Sequence, residues 1–258
     1  MDQHDGPTVD FGRTARDYAQ HRPGFPPVFF AHLQRLGLGV PGQRVLDIGT
    51  GTGTLARGFA ERGAVVVGLD PSEQMLAEAA ALARAGALSV QWLRATAEAT
   101  GLPDGAFDVV SAGQCWHWFD RARAAAECRR VLRAGGRALI AHFSYLPDPG
   151  TVGEATEQLV LQHNPTWSMA GSDGRHPQWA EDLRQAGFGD VATFEFDVPV
   201  TFTQEGWRGR FRACNGVLTL PPQQLAAFDG ELQALLAARF PEPIVSRHRV
   251  FGVVGLSP

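Results

Sequence analysis

The 258-residue chain contains no lysine; all of its 23 basic residues are arginines. Without a lysine side chain it cannot form an internal Schiff base with a carbonyl compound, nor supply the lysine of a phosphate-binding P-loop. The three cysteines, Cys115, Cys128 and Cys214, are widely spaced with no CxxC pair. That excludes a disulfide framework and a cysteine-based zinc site from the pattern, and suits a reducing cytoplasm. The eight histidines show no HxxxH spacing, so no metal is expected. There is no excess of positive charge (formal net charge −4), which disfavours a surface that tracks nucleic-acid phosphates. No run of about 18 apolar residues occurs, and the first residues lack the basic and apolar regions of an export signal. A membrane partner is therefore not expected, and the oligomeric expectation is a monomer or homodimer.

What is present is a 44% apolar composition, enough for a substantial core. Residues 1–23 are polar and turn-rich, and Val28, Phe29, Phe30, Leu33 and Leu36 follow at helical spacing. From Arg44 onward, short β-rich runs alternate with alanine-rich helical stretches, the pattern of βαβ units around a parallel sheet. The pattern predicts strands over 44–48, 64–69, 90–93, 107–112, 137–143, 190–198 and 248–256. Helices are expected over 54–62, 71–84, 121–132, 151–163, 177–186 and 222–238, with a short one around 204–214. The Gly- and Pro-rich segment 163–177 breaks the alternation and reads as a loop or lid.

The strand Val45-Leu46-Asp47-Ile48 runs into Gly49-Thr50-Gly51-Thr52-Gly53. Glycines at that junction allow tight backbone turns and close ligand approach, and the helix that follows presents free amides. The spacing GxGxG is not the dinucleotide fingerprint GxGxxG, and Asp47 interrupts an otherwise apolar strand end. Both favour a ligand carrying an amino group and a nucleoside over a pyrophosphate. The next strand ends in Asp70, about 20 residues on, where a carboxylate reaches ribose hydroxyls. Asp70-Pro71-Ser72-Glu73 equally carries helix-capping signals, with Asp70 as the cap.

The ordered stretches Val45–Gly53, Gly68-Leu-Asp-Pro-Ser-Glu-Gln-Met75, Leu102-Pro-Asp-Gly-Ala-Phe-Asp-Val-Val110 and Arg130-Val-Leu-Arg-Ala-Gly-Gly-Arg137 resemble the successive motifs of class I S-adenosylmethionine-dependent methyltransferases. The resemblance covers roughly 40–145. It implies a Rossmann-like, doubly wound α/β fold with a seven-stranded sheet in the order 3-2-1-4-5-7-6, its last strand antiparallel. It also implies S-adenosyl-L-methionine as cofactor, methyl transfer to a small organic acceptor, and S-adenosyl-L-homocysteine as product. A non-methylating cyclisation or rearrangement on the same fold is the alternative. The residues it implies for the cofactor are Asp47, Gly49, Thr50, Gly51, Gly53, Asp70, Pro71, Met75, Thr96, Ala97 and Glu98, together with Gln114 and Trp116. Thr96 stands where many relatives carry an aspartate that meets the adenine amine.

On the acceptor side, Gly113-Gln-Cys-Trp-His-Trp-Phe-Asp120 follows the fourth strand, and its aromatics can exclude water and attract a sulfonium. His117 is the candidate general base, and His142, at the end of the next strand, the second. The stretch Trp116–Asp120 and the spacing Phe11, Ala15, Tyr18, Arg22-Pro23 are similar to trans-aconitate methyltransferase-like proteins, in which an N-terminal arm folds over the cofactor. Tyr18 and Arg22 are the arm residues so implied. The expected organisation is an arm and helix over 1–37, a catalytic domain over 38–258, and lid insertions near 151–180 and 202–222.

Overall fold

The computed structural model describes residues 24–258. Tyr18 and Arg22 lie outside the described residues. The elements, in chain order, are α1 (Pro27–Arg35), β1 (Arg44–Ile48), α2 (Thr54–Ala60), β2 (Val65–Asp70), α3 (Glu73–Ala85), β3 (Val90–Arg94), β4 (Phe107–Gly113), α4 (Arg121–Val131), β5 (Leu132–Tyr145), α5 (Val152–His163), α6 (Gln178–Gln185), β6 (Gly189–Phe202), α7 (Gln204–Arg212), α8 (Asn215–Leu218), α9 (Pro222–Arg239) and β7 (Ile244–Leu256). A 3₁₀ turn, Trp116–Trp118, precedes α4.

The strands form one mixed seven-stranded sheet in the order β3-β2-β1-β4-β5-β7-β6, as the resemblance implied. β1 lies between β2 and β4, parallel to both, so Asp47 sits beside Gly68 on one side and Ser111 on the other. That is the point where the strand order reverses, and open α/β sheets hold ligands outside the carboxyl ends of their strands there. β1 reads Val-Leu-Asp-Ile because helices cover both faces of a parallel sheet, and Val45 to Ile48 are all buried.

Helix starts follow local capping. Asp120 accepts the amide of Arg123 (3.1 Å) to open α4, and Thr203 accepts that of Gly206 (2.9 Å) to open α7. At α3 the structure corrects the sequence expectation: Ser72, not Asp70, is the cap, accepting from the Met75 amide at 3.3 Å. Asp70 is thereby left at the strand end with both oxygens turned to other partners. The last three strands are longer than expected, and α8 and the 3₁₀ turn were not anticipated. β5 starts at Leu132 because residues 133–136, which fall between the expected helix over 121–132 and strand over 137–143, are taken into the strand with an irregularity between the pairs Phe107–Leu132 and Val109–Arg137.

The described chain divides into two compact units. The larger comprises 24–144, Gly174–Val198 and Arg249–Pro258. Its core gathers Leu46, Ile48, Val110, Trp116, Ile140, Trp179 and Phe251. The smaller comprises Tyr145–Asp173 and Pro199–His248, with a core of its own around Tyr145, Trp207, Phe211, Phe228 and Leu232. Each fully buried aromatic or leucine there contributes roughly 1.5–3 kcal/mol. Within this unit the Tyr145 hydroxyl donates to Glu157 at 2.7 Å, and the second Glu157 oxygen accepts the Gly171 amide at 2.7 Å.

Candidate active site

The loop between β1 and α2 turns on three glycines with φ of +60°, +55° and +79° at Gly49, Gly51 and Gly53. Their surroundings differ. A Cβ on Gly49 would lie 2.9 Å from the Cys115 sulfur and 2.8 Å from the Phe119 ring, while one on Gly53 would lie 2.7 Å from the Trp92 indole. Those two are glycine because the loop is pressed against its neighbours. Gly51 faces open space, with nothing within 4 Å of a would-be Cβ. It is the place where a ligand can come against bare backbone.

Two carboxylates hold this loop. Asp47, 2% exposed, accepts from the Thr50 hydroxyl at 2.6 Å and from the Ser111 hydroxyl at 2.7 Å. Burial pushes its carboxyl up to about 6, against the downward pull of those two hydroxyls. Asp47 therefore joins the loop to β4, with both oxygens occupied inside the protein. Asp70 accepts the Gly51 amide at 2.9 Å on one oxygen and the Ser72 amide at 2.9 Å on the other. Burial raises its pKa too, opposed by those amides. Each of its oxygens keeps a second lone-pair site, enough to accept from the paired hydroxyls of a ribose.

Around this centre Thr50 is buried and its amide donates to Leu69 O at 2.9 Å, fixing the loop to β2. Pro71 is exposed, and Met75 is buried in α3. Thr96 bridges to Ala99, Ala97 is buried, and Glu98 accepts the Asp120 amide at 3.0 Å. Trp116 is 1% exposed and gives its indole N–H to Asp182 at 2.9 Å, which makes it a core residue. Gln114 stands at the end of β4 with φ +66°.

The two candidate bases come together, with the His117 and His142 rings 6.4 Å apart edge to face. A third histidine joins them: His176 lies 4.5 Å from His142 and stacks on Trp179 at 4.0 Å, tilted by 8°. Its place between proline and glycine residues gave no sign of this in the sequence. Trp92 was missed as well, though its signal was legible: a large ring on β3 pairs in register with Gly68 on β2. Among the described residues no group of three His, Cys, Asp or Glu could hold a metal ion. The arginines of Trp207–Arg212 are engaged, Arg208 and Arg212 with Asp229, and Arg210 over the Tyr145 ring at 4.5 Å.

The bare backbone at Gly51, the adjacent Asp70 carboxylate and the paired rings of His117, in the turn after β4, and His142, on β5, fit a nucleoside cofactor with an acceptor beside it. Residues 46–140 match the family model described as a methyltransferase domain. An uncharacterized methyltransferase of Mycobacterium tuberculosis is 41% identical over 130 residues, which are 50% of this chain and 50% of that protein. The chain thus spans about half the length of that relative. A ubiquinone/menaquinone biosynthesis C-methyltransferase of Paracoccus denitrificans is 31% identical over 65% of this chain and 74% of its own. Among solved structures, a methyltransferase assigned to an antibiotic biosynthesis pathway of Anabaena variabilis aligns with a TM-score of 0.64 at 19% identity, over 90% of this chain and 98% of that one. At that identity the likeness is one of fold.

Proposed function

The chain belongs to the class I S-adenosylmethionine-dependent methyltransferases, and on that premise we propose that it transfers the methyl group of S-adenosyl-L-methionine to a small organic acceptor. The observation that carries this is the meeting of Asp70 with the Gly51 amide at 2.9 Å beside open space. Asp70 would hold the ribose hydroxyls, and the glycine loop would lie against the methionine portion. Ala97 and Thr96 would border the adenine. When bound, the cofactor supplies an electrophilic methyl group on a sulfonium.

The chain's own part in such a displacement is alignment and exclusion of water. His117 and His142, whose rings lie 6.4 Å apart, would take a proton from a hydroxyl or amine acceptor. The proposal keeps 1–37, with Tyr18 and Arg22, as an arm and helix covering the cofactor site, and 151–180 with 202–222 as a lid; protection of both from limited proteolysis by S-adenosyl-L-homocysteine checks this. It also includes a cytoplasmic enzyme acting as a monomer or homodimer, without nucleic-acid or membrane partner. The net charge of −4 supports the absence of nucleic acid, and no described helix is long and apolar enough to cross a membrane.

The test is isothermal titration with S-adenosyl-L-methionine and S-adenosyl-L-homocysteine, comparing the natural sequence with Asp70→Ala. Binding that weakens at least tenfold, about 1.4 kcal/mol, is expected; no binding of either ligand to a folded protein overturns the proposal. A product heavier by one methyl separates transfer from cyclisation or rearrangement, which leave the mass unchanged.

A further inference from the structure

Gln114 is the first residue past β4, and its backbone is left-handed, with φ +66°. Glycine adopts that conformation freely; a long side chain there is strained. The residue is fixed by two bonds to β5: its amide donates to Ala141 O at 2.9 Å, and its side-chain Nε2 donates to Phe143 O. A carbonyl has no proton to give, so the nitrogen of the side-chain amide must be the atom that faces Phe143. Oε1 is therefore turned the other way. It is buried and has no hydrogen-bond partner among the described residues. A buried acceptor left unmet forfeits the hydrogen bond it would make to water. Two penalties fall on one residue, and folding gains from neither. Such outliers concentrate where a ligand completes the arrangement.

The place of Gln114 in the sheet says which ligand. Asp70 and the glycine loop belong to β2 and β1, whereas Gln114 ends β4 and is tied to β5, the strand that carries His142. It lies on the half of the sheet that carries His142. We infer that Gln114 Oε1 accepts a hydrogen bond from an O–H or N–H of the acceptor substrate, and so determines which acceptors are used. An amide oxygen is neutral and a very weak base. It orients the donor and takes no proton, which leaves that task to the histidines. Acceptors whose polar atoms only accept would leave Oε1 unmet again and be turned over poorly. The inference rests on the methyl-transfer reading.

The experiment compares the natural sequence with Gln114→Gly, which removes the side chain and relieves the backbone, and Gln114→Met, which keeps length without polarity. Melting temperature, titration with S-adenosyl-L-homocysteine, and rates of its formation with catechol, 4-hydroxybenzoate, ethanolamine and glycine are measured. Gln114→Gly is expected to melt at or above the natural protein. Both variants should bind S-adenosyl-L-homocysteine within twofold of it and lose tenfold or more in kcat/KM for the best acceptor. A lower melting temperature for Gln114→Gly would assign Gln114 to folding and overturn the inference. Unchanged kcat/KM overturns it, as does a tenfold loss of S-adenosyl-L-homocysteine affinity, which would assign the donor to the cofactor. A protein that binds S-adenosyl-L-homocysteine but methylates none of the four overturns it too. Failure of the natural protein to bind S-adenosyl-L-homocysteine removes the methyl-transfer reading itself, a separate result.

Discussion

Trp92 occupies a slot that two glycines make for it. A Cβ on Gly68 would come within 2.6 Å of the indole and 3.0 Å of the Thr50 hydroxyl, and one on Gly53 within 2.7 Å of the same ring. Gly68→Ala should therefore cost about 1–3 kcal/mol by overpacking, read as a lower midpoint in urea denaturation. Adding Trp92→Leu to it should restore part of that loss. Gly51→Ala is expected to behave differently. It clashes with nothing, so its stability cost is limited to the roughly 1–2 kcal/mol of a left-handed backbone at φ +55°. The new methyl stands where a ligand would meet the loop, and affinity for S-adenosyl-L-homocysteine should fall by more than the melting temperature suggests.

At the scale of elements, helix starts are governed by single side chains. Asp120 accepts the Arg123 amide and, through its own amide, holds Glu98, so it joins the start of α4 to the segment after β3. Asp120→Ala should cost about 1 kcal/mol, visible as a drop of a few degrees in the melting temperature. The elements themselves were largely legible in the sequence. β1, β2, β3 and β4 fall within a residue or so of their expected bounds, since apolar runs bounded by glycine and polar turns leave little choice. The misses have physical causes. β6 extends to Phe202 along an alternating, half-exposed edge whose polar residues hide the strand signal. Ser72 displaced Asp70 as a cap because Asp70 is drawn to the Gly51 amide, a contact 19 residues away that local pattern does not encode. The candidate site was legible as a list of positions but not as a division of labour. The sequence does not show that Gly49 is glycine for the sake of Cys115, that Trp116 gives its N–H to Asp182, or that His176 joins His142.

Across the whole molecule, the response to pH sets a buried acid, Asp47, against a half-buried one, Glu127. The carboxyl of Asp47 rises from its ordinary 3.8 to about 6 on burial, so its contribution to stability is full below 3.8 and is lost as pH rises through about 6. That gap corresponds to about 3 kcal/mol. Glu127 runs the other way: Arg130, with Thr100, holds it down from 4.5 to about 2, so its contribution is present above 4.5 and is lost as pH falls through about 2. Between pH 4.5 and 6 Asp47 is expected to dominate, and unfolding free energy should decline as pH rises. Asp47→Asn should flatten that decline, as followed by chemical denaturation at a series of pH values. Arg130, the cation opposite Glu127, is an arginine and stays charged across the range.

Asp47 also binds positions 64 residues apart in the chain into one unit of inheritance. Because a single carboxylate serves both the Thr50 and the Ser111 hydroxyls, loss of Asp47 strands both as buried polar groups, and loss of either hydroxyl leaves one buried carboxylate oxygen without its donor. Drift at these sites should therefore be concerted: descendants keep the aspartate with both hydroxyls, or replace all three by apolar residues in close succession.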